Sequence, residues 1–181
     1  MKKPWEQFPH IWKTEAAFIA YIRGGVRRSI WSRYPVKIEF MKASRKRVHN
    51  PKTGNEVWGG TCYLCSKDFP QAMLEVDHIV GNHKFTKLPE LGTYLQNLLY
   101  IDFDDMAFAC KPCHKIKSYS EKMGIPFKQA VIEKEIIAFM KLTVAKQTST
   151  LTAAGYSKAD ISNAQNRKAA YRSILIYEDS K

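Results

Sequence analysis

Nowhere among the 181 residues do about 18 apolar residues run together, so no segment is expected to span a membrane. An apolar leader is also missing. Met1-Lys2-Lys3-Pro4-Trp5-Glu6 carries charge where a secretory signal carries its apolar core, and a signal peptide is not expected. Internal repeats are absent. Cysteine is scarce: there are four, and all of them fall in C-x-x-C pairs, Cys62/Cys65 and Cys110/Cys113. Without a leader, that pairing points to metal rather than disulfides, and to a reducing cytoplasm.

Acid is in short supply as well. There are 17 Asp/Glu against 29 Lys/Arg, a net charge of +12. Residues 1–60 hold 13 basic against 4 acidic side chains, residues 61–120 hold 6 against 7, and residues 121–181 hold 10 against 6. The cysteine-bearing middle is therefore near neutral and both flanks are basic. A polyanion is the natural partner of such flanks, because Lys and Arg displace counterions condensed on phosphates. A cationic surface that serves only solubility, or one drawn to an anionic membrane, is the competing reading. Aromatics and regular periodicity in the flanks favour nucleic acid. Hydrophobic content of 45% and charged content of 25% describe a globular chain, not a disordered one.

Helical spacing runs from Thr14 to about Tyr34 through Ala17/Phe18, Tyr21/Ile22, Val26 and Ile30, with Thr14 as N-cap and Pro35 as terminator. Gly24-Gly25 interrupts it. Arg23, Arg27 and Arg28 cluster on the other side, a candidate phosphate-contacting face. Lys42 to Lys52 adds Arg45, Lys46 and Arg47 and ends in the turn residues Asn50-Pro51-Lys52-Thr53-Gly54-Asn55. With Val57-Trp58-Gly59-Gly60 it reads as an exposed hairpin or arm suited to a nucleic-acid backbone. Leu74 to Val80 alternates as a strand, and Asn97-Leu98-Leu99-Tyr100-Ile101 reads as a second. A helix is expected over Cys113–Met123, stopped by Gly124, and another over Phe127–Val144 with Val131, Ile132, Ile136, Phe139 and Met140 as its core stripe. Lys146–Thr152 looks like a linker. Ala159–Tyr177 is helical again, with Arg167, Lys168 and Arg172 close together, and Gly155 between two helices hints at a helix-turn-helix.

Two C-x-x-C knuckles supply four thiolates at the spacing a tetrahedral ion requires, and Zn²⁺ is the default occupant. The 44 residues between Cys65 and Cys110 would then be stapled at their base. A redox C-x-x-C pair is the competing reading, disfavoured by the presence of two pairs. Inside the stapled loop lie Asp77 and His78, and His114 follows Cys113. A metal-dependent phosphodiesterase needs a cation on the phosphate and a base for water. Adjacent strand residues face opposite sides, so Asp77 and His78 can divide these tasks, either one holding metal while the other contacts water. His114, fixed by the knuckle, would close the site. Glu75 stands where it could orient a neighbour, though a plain surface carboxylate is the simpler reading. His83 could contact phosphate or be an ordinary surface histidine.

Val76-Asp77-His78-Ile79, Asn97-Leu98 and Cys110-Lys-Pro-Cys113-His114-Lys-Ile-Lys117 closely resemble the HNH endonucleases with a ββα-metal centre, and the chain is similar to the free-standing type that bacteriophages encode. The matching elements span roughly a third of the chain. The resemblance implies an α+β fold in which a ββα-metal core, stapled by a four-cysteine zinc site, is flanked by basic helical N- and C-terminal segments. It divides the chain into an N-terminal arm (1–58), a nuclease core (59–124) and a helical C-terminal region suited to DNA binding (125–181). It implies His78 as general base, Asp77 and His114 as ligands of a catalytic Mg²⁺ or Mn²⁺, and Asn97 as the residue bracing the loop that aims His78. Cys62, Cys65, Cys110 and Cys113 would hold structural Zn²⁺. The cation would contact the phosphate and the leaving 3′ oxygen, giving 5′-phosphate and 3′-hydroxyl ends. Double-stranded DNA is the implied partner, with Arg23, Arg27, Arg28, Arg45, Lys46, Arg47, Lys115 and Lys117 as candidate contacts. No membrane is involved, and a phage-encoded chain would work in the host cytoplasm. Where many members carry Pro soon after Asp-His-Ile, this chain has Val80-Gly81, and the stretch bearing Asp102, Asp104 and Asp105 is extended.

Other readings are an inactive zinc-stapled DNA-binding protein, and a packaging nuclease that works only with a phage protein partner. A zinc deaminase requires His-x-Glu upstream of Pro-Cys-x-x-Cys. Here Ile79-Val80 follows His78, and the proline lies inside the knuckle, so that reading fails.

Overall fold

A computed structural model describes residues 2–81 and 84–179, except the side chains of Glu178 and Asp179; His83 lies outside the described residues. The chain forms two compact units, Met1–His114 and Lys115–Lys181. Both helix and sheet are present, so the fold is mixed α+β.

The first unit opens with helices α1 (Pro4–Gln7), α2 (Glu15–Ser29) and α3 (Pro35–Ser44). Thr14 caps α2 as its sequence predicts, its Oγ1 accepting from Ala17 N at 3.2 Å. Gly24-Gly25 does not break the helix. Pro35 differs from expectation: it ends nothing further and instead opens α3, because proline at the first helical position loses no hydrogen bond and already has the right φ. The basic arm consequently begins at Lys46, not Lys42. Strand β1 (Lys46–His49) pairs antiparallel with β2 (Glu56–Thr61), and β2 with β3 (Asp68–Pro70). The expected turn joins β1 to β2, with Asn50 N donating to Asn55 O at 2.9 Å and Gly54 at φ +73.

A second sheet pairs β4 (Leu74–His78) with β5 (Met106–Cys110), in a register that sets His78 against Met106 and Leu74 against Cys110. The partner strand is therefore β5. The segment Asn97–Ile101 is not a strand: most of it belongs to helix α4 (Leu91–Leu99). A short apolar run fits either state, and here Tyr94 and Leu98, one helical turn apart, are buried with Ile19 and Phe85. Between α4 and β5 the three aspartates cap their own turn. Asp102 N donates to Asp105 and Asp104 N to Asp102, at 3.0 and 2.9 Å.

The main core of this unit gathers Phe40, Cys62, Leu74, Val76, Met106, Phe108 and Cys110. Gly60 leaves room for the Phe108 ring, since a Cβ there would stand 2.6 Å from Phe108 Cδ2. Helix α5 (Lys111–Met123) follows β5 without a loop, and the boundary between the units falls within it.

The second unit holds α6 (Phe127–Met140), α7 (Val144–Ala153) and α8 (Ala164–Asp179) around Phe139, Leu151, Ile161 and Ala170. Phe139 and Tyr171 stack at 3.9 Å. The expected linker is helix α7. Its hydroxyls bond back into the helix, as Thr150 Oγ1 does to Lys146 O at 2.9 Å, and burial of Gln147 and Leu151 outweighs weak local propensity. Gln147 donates to Leu142 O at 2.8 Å and accepts from Arg167 Nε at 2.8 Å. Arg167 is thus a buried structural residue, and Arg172 pairs with Glu133, so only Lys168 of the expected basic cluster is exposed. Helix α8 starts later than expected, at Ala164, because Ser157 and Asp160 close a separate turn and Asn163 caps the helix by accepting from Asn166 N at 2.9 Å. Among the described residues no helix is long and apolar enough to cross a membrane.

Candidate functional site

The four thiols converge. Cys62 and Cys65 lie between β2 and β3, Cys110 ends β5, and Cys113 lies in the first turn of α5; the four Sγ atoms all lie within 4.8 Å of one another. Ligands 2.3 Å from a tetrahedral Zn²⁺ stand about 3.8 Å apart, so shifts of about an ångström close this set on the ion. In the first knuckle Ser66 N donates to Cys62 O at 2.8 Å, and the left-handed φ of Ser66, 57°, turns the chain back so that Lys67 O accepts from Cys62 N at 2.9 Å.

The electrostatics of the thiols ask for a cation. Burial acts to raise Cys62, but backbone N–H groups of Cys110, Cys65 and Leu64 outweigh it and bring the thiol down to about 7. Burial and the neighbouring sulfurs push Cys113 far up, and burial also raises Cys110. Cys62 ionises readily, whereas Cys110 and Cys113 need a positive ion to take up their charge. The residues therefore fit a structural metal of the zinc type.

Beside this cluster a second set of polar groups meets. Alternation along β4 puts Glu75 and Asp77 on one face, toward His114 in the first turn of α5. His114 Nδ1 is held by the Glu75 carboxylate, and His114 Nε2 lies 3.4 Å from Asp77 Oδ1. The second Asp77 oxygen accepts from Tyr63 Oη at 3.4 Å. The hydrogen bond and charge of Asp77 are the main cause raising the pKa of His114; burial opposes them, and Glu75 adds to the rise. Neighbouring ligands on an octahedral cation at 2.0–2.1 Å stand about 3 Å apart. The 3.4 Å between Asp77 Oδ1 and His114 Nε2 is of that order, and Glu75 on Nδ1 turns Nε2 toward Asp77.

His78 lies on the opposite face of β4, with 7% of its surface exposed. Its Nε2 is 3.0 Å from the Leu98 carbonyl oxygen in α4. A carbonyl can only accept, so Nε2 donates in this contact. Trp31 stacks on the imidazole at 4.3 Å, and Lys37 Nζ lies 4.8 Å from the Trp31 ring centre. Burial lowers the Lys37 pKa, against the opposing charge of Glu75. His78 also forms one wall of a cavity of about 440 Å³ lined by Asn97, Gln96, Tyr100 and Asp105 among others. Asn97 is exposed on α4, and the brace on His78 comes from the backbone of the next residue.

The basic candidates divide. Arg23 donates to Phe85 O at 3.5 Å, and Arg27 and Arg28 sit in the last turn of α2, where cations suit the carbonyl end of a helix. Lys46 pairs with Asp68 at 2.9 Å, whereas Arg45 and Arg47 lie over the Trp58 ring. Lys115 is exposed, but Lys117 is buried and pairs with Glu121 at 3.3 Å. Sequence reasoning missed Tyr63 and Trp31 and undervalued Glu75. The period of two that puts Glu75 on the Asp77 face was available; nothing local connects Trp31 to a histidine 47 positions away. Comparisons of the chain with protein-family models, curated proteins and solved structures find no match.

Proposed function

We propose that the chain is a metal-dependent DNA endonuclease of the HNH type, hydrolysing phosphodiester bonds beside β4 and α5. The observation that carries this reading is the meeting of Asp77 with His114, 3.4 Å apart, where the strand preceding His78 faces a helix anchored by Cys113. The antiparallel pair of β4 and β5, with α4 inserted between them in the chain and α5 following β5 directly, supports it.

In this reading Cys62, Cys65, Cys110 and Cys113 hold structural Zn²⁺, and Asp77 and His114 hold an exchangeable Mg²⁺ or Mn²⁺. When bound, that cation would supply positive charge to the scissile phosphate and the departing 3′ oxygen. His78 Nδ1 takes the proton of the attacking water. The Leu98 carbonyl stabilises the resulting imidazolium through Nε2–H and holds the ring in place. Trp31 excludes water from one face of the base. Asn97 borders the cavity in which the water and phosphate would meet His78.

The burial of His78 also favours a second reading, a zinc-stapled DNA-binding protein without catalysis. Supercoiled plasmid with Mg²⁺ or Mn²⁺ separates the two. The nuclease nicks or linearises it, and His78→Ala binds DNA while cutting at least about 100-fold more slowly. Equal cutting by both proteins removes His78 as the base, and no cutting by either favours the binding protein.

A further inference from the structure

Several cations of the first unit are taken up by protein groups: Lys46 by Asp68, Arg23 by the Phe85 carbonyl. Arg45 and Arg47 are arranged otherwise. Their guanidinium carbons lie 4.4 and 4.5 Å from the ring centre of one tryptophan, Trp58, which is itself 42% exposed. Neither arginine has a carboxylate partner among the described residues. The register accounts for the meeting: Arg47 is the direct cross-strand partner of Trp58, and Arg45, two residues earlier on an extended backbone, shares its face.

We infer that Arg45, Trp58 and Arg47 form a phosphate clamp for the backbone of double-stranded DNA. Attraction to the indole holds each guanidinium against the ring, but two like charges at one ring repel each other, and an anion bound by both offsets that cost. Each planar guanidinium presents paired N–H donors that match phosphate oxygens, which a lysine ammonium cannot do. Two residues along an extended backbone separate the Cα atoms of Arg45 and Arg47 by about 7 Å, on the scale of neighbouring phosphates in one nucleic-acid strand. The platform is stiff. Strand β2 runs directly into Cys62, β3 follows the same knuckle, and Gly59 lets β1 and β3 close in on either side of β2. With both guanidinium groups already held against the indole, the clamp grips phosphates through them instead of stacking on unpaired bases.

The clamp does not depend on the nuclease reading. Binding of zinc-loaded full-length protein to a labelled 20-base-pair duplex, followed by fluorescence anisotropy without Mg²⁺ or Mn²⁺ across a salt series, tests it. Thermal melting and zinc content check that each variant is folded. Arg45→Ala with Arg47→Ala is expected to reduce the slope of log affinity against log salt by about 2. Trp58→Ala changes no charge, yet is expected to weaken binding about fivefold, with Trp58→Phe within about twofold of wild type. Arg45→Lys with Arg47→Lys keeps both charge and fold and is expected to weaken binding by a similar amount. Wild-type affinity in Trp58→Ala or in the double lysine variant would overturn the clamp, leaving only diffuse charge attraction. So would an unchanged salt slope in the double alanine variant. A third overturning result is a loss seen only with anionic phospholipid vesicles and not with DNA. Failure of the wild type to cut plasmid bears on the nuclease reading alone.

Discussion

The Trp31 indole and the His78 imidazole are stacked, 4.3 Å apart and inclined by 30°. Trp31 is supplied by the single turn between α2 and α3, so the helices ahead of the sheets form one wall of the candidate base's surroundings. Replacing the indole with a methyl group opens that wall to water and frees the ring to tilt away from Leu98. Trp31→Ala is expected to lower kcat for plasmid cleavage about tenfold or more with little change in DNA affinity, and Trp31→Phe to recover most of it. Single-turnover cleavage beside anisotropy binding separates the two effects.

Glu75 acts on the candidate cation site through His114. With its carboxylate on Nδ1, the imidazole presents Nε2 toward Asp77. Loss of such an orienting carboxylate costs about 10- to 100-fold in metal affinity. Glu75→Ala is expected to show that loss in a Mn²⁺ titration followed by electron paramagnetic resonance, with zinc content unchanged. Glu75→Gln, which still accepts from Nδ1–H, is expected to lose less.

His114 also sets a pH dependence. Its pKa is raised above 6.5, chiefly by Asp77, so its proton stabilises the cation-free fold fully below the unfolded value. That stability is lost as pH rises through the raised folded value. Added Mn²⁺ competes with the same proton, so its affinity moves the opposite way, climbing with pH and levelling off above the folded pKa. Thermal midpoints and Mn²⁺ affinities measured between about pH 6 and 9 are expected to run in opposite directions in the wild type. The component due to His114 is expected to vanish in His114→Ala.

Two glycines give opposite stability effects. A Cβ on Gly59 would stand 2.2 Å from the Phe69 carbonyl oxygen and 2.4 Å from Val48 Cγ2, and a backbone atom within a sheet cannot retreat cheaply. Gly59→Ala is expected to cost about 3 kcal/mol. Gly25, inside α2, has nothing within 4 Å of such a Cβ, and Gly25→Ala is expected to gain about 0.5–1 kcal/mol from helix propensity. Chemical denaturation of the two variants measures both.

The parts of this architecture legible in sequence were those with short-range causes. The C-x-x-C pairs announce the thiol cluster because their spacing is itself the requirement of the ion. Thr14 marks the start of α2, and alternation marks β4. Where two local readings were open, tertiary contacts decided. Leu98 and Tyr94 chose helix for α4 by burial with Ile19 and Phe85, and Gln147 made α7 a packed helix through Arg167. Pro35 could end one helix or open another, and only the burial of Phe40 resolves it. The approach of Trp31 to His78 has no local signature at all.

In the proposed nuclease labour is divided: the cysteines hold one structural metal, while Asp77 and His114 hold a second, exchangeable ion that His78 uses. The most direct test of this division is to titrate Mn²⁺ into zinc-loaded wild type, Asp77→Ala and His78→Ala, reading bound Mn²⁺ and plasmid cleavage on the same samples. The wild type is expected to bind a Mn²⁺ beyond its zinc and to cut. Asp77→Ala should lose both properties while keeping its zinc, and His78→Ala should bind Mn²⁺ without cutting. Undiminished Mn²⁺ binding by Asp77→Ala, or undiminished cutting by His78→Ala, would contradict this division.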